Sequence, residues 1–293
     1  MPLLAAFMST LLSVAPDLWS WPDWLWGEDR KDEVTLSLEP AATRIGYRPP
    51  ILGPDNPDRP LVVIDAGHGG VDPGATSPYD QRHEKDLTLE LAKAIRDELL
   101  SSGRVRVALT RDEDRYIDLH ERYEIASRID ADLFISVHAD SAPNHEARGA
   151  TIYTLSEVAS DREAAQLAAR ENAADLVGGV DMGGGSRDVN LILIDLAQRE
   201  SMDLSAGFAR RLHREAATLL HFRPQHHRFA AFVVLKAPGV PSILFESGYL
   251  SNREDAAYLQ SDEGRKAIAT GMRRAIEAHF AREILAAARR ERV

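Results

Sequence analysis

The chain has no cysteine among its 293 residues, which excludes a disulfide scaffold, a thiolate metal site and a cysteine nucleophile. It also lacks an excess of positive charge: 35 Lys and Arg stand against 46 Asp and Glu, a formal net charge of -11. A broad electrostatic grip on nucleic acid or anionic lipid is therefore disfavoured, and no nucleic-acid partner is expected. Long hydrophobic runs are missing too. The apolar stretch Leu3 to Ala15 is too short for a transmembrane helix, so no integral membrane segment is expected. Nor is there a low-complexity tract or an internal repeat. What remains, 44% apolar and 28% charged residues, is the make-up of an ordinary globular protein with a well-buried core.

Leu3 to Ala15, with the small residues Ser13 and Ala15 at its end, reads as a weak export signal that no Lys or Arg precedes. Trp19, Trp21, Trp24 and Trp26 follow in a Pro-containing stretch without sustained periodicity, so residues 1–59 are expected to be a tail or linker. A domain is expected over 60–283, with 284–293 a short C-terminal tail. Leu61 to Ile64 reads as a buried strand that breaks into Asp65-Ala66-Gly67-His68-Gly69-Gly70. Leu87, Leu91, Ile95 and Leu99 recur at helical spacing, Val105 to Leu109 alternates as a strand, and a second helix passes through Leu119, Tyr123 and Ala126. Further strands are predicted at Leu133 to Val137, Thr151 to Leu155, Phe232 to Leu235 and Ser242 to Phe245, then a helix from about Ser261. This alternation predicts an α/β fold with a mixed, largely parallel sheet and helices on both faces. The exception is a helical insertion over about 157–190, with glycine-rich Gly178 to Gly185 between two helical stretches.

His68 and His138 each stand just past a predicted strand and Glu84 just ahead of a helix. Open α/β sheets gather ligands beyond the carboxyl ends of their strands, so residues far apart in sequence can converge there. Two imidazoles and a carboxylate form the donor set of a catalytic zinc site, which leaves a fourth position for water. His83 is an alternative to Glu84 on position alone. Glu246 ends the last core strand at the same edge and is the candidate for proton transfer. His226 and His227, after Pro224, are expected in a solvated loop, and His120 and His145 have no motif around them.

Four stretches resemble, in order, the signatures of the zinc-dependent N-acetylmuramoyl-L-alanine amidases of the Amidase_3 type. They are Ala66-Gly67-His68-Gly69-Gly70-Val71-Asp72-Pro73-Gly74-Ala75, Glu84-Lys85-Asp86, Ser136-Val137-His138-Ala139-Asp140 and Phe245-Glu246-Ser247-Gly248-Tyr249-Leu250-Ser251-Asn252. Thr110-Arg111 with Asp114, Leu119, Arg122 and Ala126 is similar to a further family segment. The resemblance, over roughly Leu61 to Phe280, implies a single Zn2+ held by His68, Glu84 and His138, with His83 set aside, a catalytic Glu246, and a peptidoglycan substrate in the periplasm or otherwise outside the cytoplasm. A peptidase acting on free peptides shares the metal logic, and a catalytically silent wall-binding or scaffold protein is the alternative from another class.

Within the insertion, Ser160 with Glu163 has the pattern of a capping box, and the helix it opens is expected to run toward Val177. Its apolar stripe of Ala164, Leu167 and Ala168 continues at helical spacing into Glu171 and Asp175, placing carboxylates on the packing face. Glu171-Asn172-Ala173-Ala174-Asp175-Leu176-Val177-Gly178-Gly179 resembles the regulatory insertion of the family's cell-division branch. There a helix occludes the site until an activator with a degenerate LytM-type domain removes it. The resemblance implies autoinhibition, with Glu171 the leading candidate for the plug. Members of that branch usually carry a folded wall-targeting domain ahead of the catalytic one, and the segment before Leu61 does not read as such a domain. The second helical stretch, with Leu191, Ile194, Leu204, Phe208 and Leu212, is expected to join the core.

Overall fold

The structure is a computed structural model that describes residues 46–177 and 191–290. The export-signal run, the tryptophan cluster and the Gly178 to Gly185 segment lie outside the described residues. Six strands form one sheet in the order β2-β1-β3-β6-β4-β5. β1 (Leu61–Ala66), β2 (Arg106–Leu109), β3 (Leu133–His138) and β6 (Ser242–Glu246) run parallel, and β4 (Ala150–Leu155) is antiparallel to β6. β5 (Phe222–Ala230) closes the sheet parallel to β4. This is the mixed, largely parallel α/β sheet that the alternation predicts.

Side chains along the central strands part to opposite faces with period two. Val62, Ile64, Ile135, Val137, Ile243 and Phe245 enter one core with α1 (Glu84–Ser102), α5 (Leu191–Ala216) and α7 (Asp262–Arg290). Val63, Phe134, Tyr153 and Leu244 enter the other, under α2 (Leu119–Arg128) and α3 (Arg162–Asn172). By the same alternation Asp65, Ser136, His138 and Glu246 belong to the α2/α3 face. The β3–β6 register sets His138 beside Glu246, so both reach the carboxyl edge of the sheet as neighbours. Phe208 and Leu212 of α5 are fully buried as expected, whereas Leu204 is partly exposed.

Several sequence expectations are corrected. Phe232 to Leu235 is no strand: Val233–Leu235 form a 3₁₀ turn whose Phe232, Val234 and Leu235 are buried, and a short apolar run does not by itself distinguish the two. The strand is instead the polar Phe222–Ala230. It lies at the sheet edge, where Pro224 is tolerated, with a register irregularity between its pairings to Ala150 and Ile152. His226 and His227 thus lie on a strand. His226 stacks on His213 at 3.5 Å, and His227 Nε2 meets Thr154 Oγ1 at 3.1 Å. The insertion helix is capped by Asp161, whose carboxylate accepts from the Ala164 N–H at 2.9 Å, and it breaks at Ala173 before the short α4 (Ala174–Val177). Glu163 is turned toward two arginines instead of back to the cap. At the ends, α7 runs to Arg290, and Leu52 exchanges backbone hydrogen bonds with Val107.

His279 of α7 is buried beside Phe208, and its Nδ1 accepts from Arg211 Nη1 at 2.6 Å. Burial, then the Arg211 charge, pushes its pKa down to about 4. Unfolding restores the ordinary value, so the unfolded chain binds the extra proton. This contribution to stability is therefore present above about pH 6.5 and lost as pH falls toward 4. His279→Gln keeps an acceptor for Arg211 but cannot take up the proton, so its melting temperature should fall less than wild type between pH 7 and 4.5.

Candidate metal centre

β1 ends into a loop that turns back sharply: His68 sits at φ 59°, left-handed for a non-glycine residue. Two buried guanidiniums hold this loop by its carbonyl groups. Arg122 donates to the oxygens of Ala66 and His68, and Arg111 to those of Ala66 and Gly67. Close approach explains two glycines. A Cβ on Gly67 would lie 2.5 Å from the His138 ring, and one on Gly74 2.6 Å from the His68 ring and 2.8 Å from Glu84 Cβ.

The loop brings together all four residues expected at the site, and each is buried. His68 Nε2 lies 3.2 Å from Glu84 Oε2, and His138 Nδ1 3.2 Å from Glu84 Oε1. Glu84 is anchored independently, because the N–H groups of Ala75 and Ala139 donate to its two oxygens, each at 2.9 Å. His83 points away and meets Thr76 Oγ1. Helix α3 supplies a second carboxylate: Glu171 Oε2 stands 3.5 Å from His68 Nε2 and 3.3 Å from His138 Nδ1. The atoms that gather within 4.8 Å of one another belong to His68, His138 and Glu171, whereas Glu84 divides its oxygens between the two imidazoles. Burial would lower the pKa of His68, but the carboxylates of Glu84 and Glu171 outweigh it and raise it well above the ordinary value.

Both rings have their outward nitrogens fixed. His68 Nδ1–H donates to Asp72 Oδ2 at 2.8 Å, which turns Nε2 toward the carboxylate of Glu84. The Ser136 hydroxyl gives its hydrogen to Asp65 and lies 3.2 Å from His138 Nε2, while the other ring nitrogen, Nδ1, is turned to Glu84 Oε1 at 3.2 Å. Such orienting partners are what metal-binding imidazoles require. Glu246 lies alongside with no exposure; its Oε2 accepts the Asp140 N–H at 3.1 Å and Oε1 has no partner among the described residues. Burial, then the charges of Asp140, Glu84 and Glu171, raises its pKa well above the carboxylate range. A cleft of about 510 Å³ reaches this centre past Asp72, Asp140, Arg170 and Glu171.

The Amidase_3 family model, described as N-acetylmuramoyl-L-alanine amidase, matches residues 62–278. The chain belongs to the Amidase_3 family. N-acetylmuramoyl-L-alanine amidase AmiA of Escherichia coli is 36% identical over 221 residues, which cover 75% of this chain and 76% of that protein. AmiC of another Escherichia coli strain is 35% identical over 226 residues, 76% of this chain but 54% of that relative, so the chain spans about half of AmiC. Among solved structures, the amidase AmiC2 of Nostoc punctiforme superposes with a TM-score of 0.54 at 28% identity, covering 76% of this chain and 97% of that one.

Within this Amidase_3 framework, the structure adds roles that sequence reasoning did not assign. Asp72, Asp65, Ser136, Arg111 and Arg122 all stand within the motif stretches or beside them, yet only the fold shows that they brace the two histidines. Asp114 belongs with them, accepting from the Gly70 N–H and from Lys85. Loss of such a brace costs about 10- to 100-fold in metal affinity. If the centre holds a divalent metal, Asp72→Ala should weaken its binding in competition titrations by that order while melting near the wild-type temperature.

Proposed function

We propose that this chain hydrolyses the amide bond between N-acetylmuramic acid and L-alanine in peptidoglycan, using one zinc ion held by His68, Glu84 and His138. Two imidazoles, each held at its outer nitrogen and turned with the other toward a carboxylate that two backbone N–H groups grip, fit zinc without thiolates. When bound, zinc supplies a Lewis acid that polarises the scissile carbonyl and makes water a better nucleophile. The chain's own part falls to Glu246. Its unpartnered Oε1 takes the proton of the attacking water and passes it to the nitrogen of the departing L-alanine, and a raised pKa suits a group that must do both near neutral pH.

The same chain is proposed to rest in a closed state. The observation that carries this is the placement of Glu171 Oε2 against the two ligand nitrogens, where a fourth donor would take the position that water and substrate need. Glu84 is the better permanent ligand because it opens the long, core-packed α1 and is gripped by backbone, while the partners of the Glu171 carboxylate among the described residues are the two histidines. Helix α3 is weakly anchored by apolar surface, burying one leucine and two alanines beside Glu171. Its other ties are polar: Arg170 pairs with Asp140, Asn172 bridges Ala231 and Val233, and beyond it Asp175 of α4 accepts from the Leu119 N–H. Contacts of this kind can open locally without unfolding the sheet. The resemblance to the regulated branch supplies the rest of the reading: an activator protein with a degenerate LytM-type domain displaces the helix, outside the cytoplasm, during cell separation or wall remodelling.

Metal removal tests this. The chelated chain should keep its melting transition in part and release no peptide from purified peptidoglycan; one equivalent of zinc should restore release to wild type but not to His68→Ala. Release that persists in chelator would contradict the proposal.

A further inference from the structure

Glu163, in the first turn of α3, lies between two arginines of β5. Arg223 grips it with both terminal nitrogens and also donates to the Tyr249 hydroxyl at 2.8 Å. Arg228 Nη1 lies 2.8 Å from Glu163 Oε2 and 3.6 Å from Asp161 Oδ1. Both acids facing this pair come from the start of the same helix. The burial is lopsided: Glu163 is 40% exposed, Arg223 16% and Arg228 7%. Nη1 of Arg228 is met by the ion pair with Glu163, whereas its Nε and the buried Tyr153 hydroxyl have no hydrogen-bond partner among the described residues. A guanidinium this deeply set, with Nε unmet and a half-exposed helix residue as its counter-ion, has room for a better-placed anion.

Its position says which anion. Arg228 pairs with Tyr153 and Tyr153 with Leu244 across β5, β4 and β6, and facing partners project from the same side of a sheet. Glu246 lies two residues past Leu244, hence on that side as well. Tyr249, which Arg223 holds, follows Glu246 by three residues. Lifting α3 would therefore uncover a strip that begins at the candidate proton carrier and ends at two arginines released from their counter-ion, with tyrosines between.

We propose that this strip is the binding groove for the peptide stem, and that Arg223 and Arg228 recognise a stem carboxylate whose place Glu163 holds in the closed state. The inference rests on the amidase reading for the identity of the peptide. The helix then blocks twice, Glu171 at the ligand nitrogens and Glu163 at the peptide end. The planar fork of arginine suits a carboxylate partner in either state.

A latch alone and a latch that mimics substrate differ in symmetry. Breaking a mere latch from either side should have the same effect, whereas here loss of Glu163 frees the groove and loss of the arginines destroys it. The test measures binding to the zinc-loaded full chain of a synthetic stem peptide that begins with L-alanine, the carboxylate of its second residue either free or amidated. Glu163→Gln should bind the free form about tenfold more tightly than the amide, a difference of one charge-assisted hydrogen bond or more. Adding Arg223→Gln should bring the two forms to within about twofold, and Arg223→Lys should recover part of the preference. Wild type, measured at higher peptide concentration, should show the same preference more weakly, which covers the case of a poorly folding variant. Equal binding of the two peptides by both wild type and Glu163→Gln overturns the proposal. Peptidoglycan hydrolysis by the same samples reports separately on the amidase reading: discrimination without hydrolysis leaves the groove and removes the enzyme, and hydrolysis without discrimination does the reverse.

Discussion

Glu246→Gln is expected to bind one zinc ion per chain, to melt near the wild-type temperature, and to hydrolyse peptidoglycan about 10²- to 10⁴-fold more slowly, the range that a positioned acid or base contributes. The substitution is nearly isosteric. The amide oxygen can still accept the Asp140 N–H that Oε2 accepts now, so the β6 terminus keeps its anchor. What is lost is the ability of the other end of the group to take up and release a proton. Its removal also takes away a buried acid that neighbouring carboxylates already disfavour as an anion, so no loss of folding stability is expected from charge. Metal content measured beside activity separates this outcome from damage to the ligands: a variant that loses its zinc would place Glu246 among the residues that hold the ion.

The second large effect is opposite in sign. Glu171→Ala should raise hydrolysis by the full-length chain, by about 10- to 100-fold if the open form is between a tenth and a hundredth of the population, since apparent activity scales with the competent fraction. Zinc affinity decides between two readings of the compact cluster of His68, His138 and Glu171. If Glu84 is the permanent ligand, removal of Glu171 leaves three ligands and an open position, and the variant is activated with zinc still tightly held. If Glu171 belongs to the working set, activity and affinity fall together. Asp175→Ala should act in the activating direction but less, because it loosens the tie of α4 to the N-terminus of α2 without emptying the position beside the histidines.

Much of this was legible in the sequence, for physical reasons that also explain what was not. β1 and β3 are apolar runs buried on both faces, so their ends, and with them His68 and His138, could be located from hydrophobicity alone. The helical stripe of Leu87, Leu91, Ile95 and Leu99 fixed α1, and its first residue is Glu84. The stripe through Ala164, Leu167 and Ala168 led to Glu171, which the fold buries against the imidazoles. β5 escaped because an edge strand needs no apolar alternation: Arg-Pro-Gln-His-His-Arg reads as loop until its pairing with β4 is known. Missing β5 also hid Arg223 and Arg228, whose meeting with Glu163 depends on that pairing. The braces were hidden differently. Arg111 and Arg122 carry no sign that they would be buried, because a charged side chain goes inside only where carbonyl groups converge on it, and that convergence is a property of the folded loop.

The bond that is cut is the centre of the account, and mass spectrometry of the products reads it directly. Purified peptidoglycan treated with the zinc-loaded Glu171→Ala chain should yield free stem peptides with L-alanine at the amino terminus and glycan strands with intact sugars, at a rate well above the wild-type chain. Peptides cut within the stem, or fragments with cleaved glycan and the muramoyl amide intact, would contradict it.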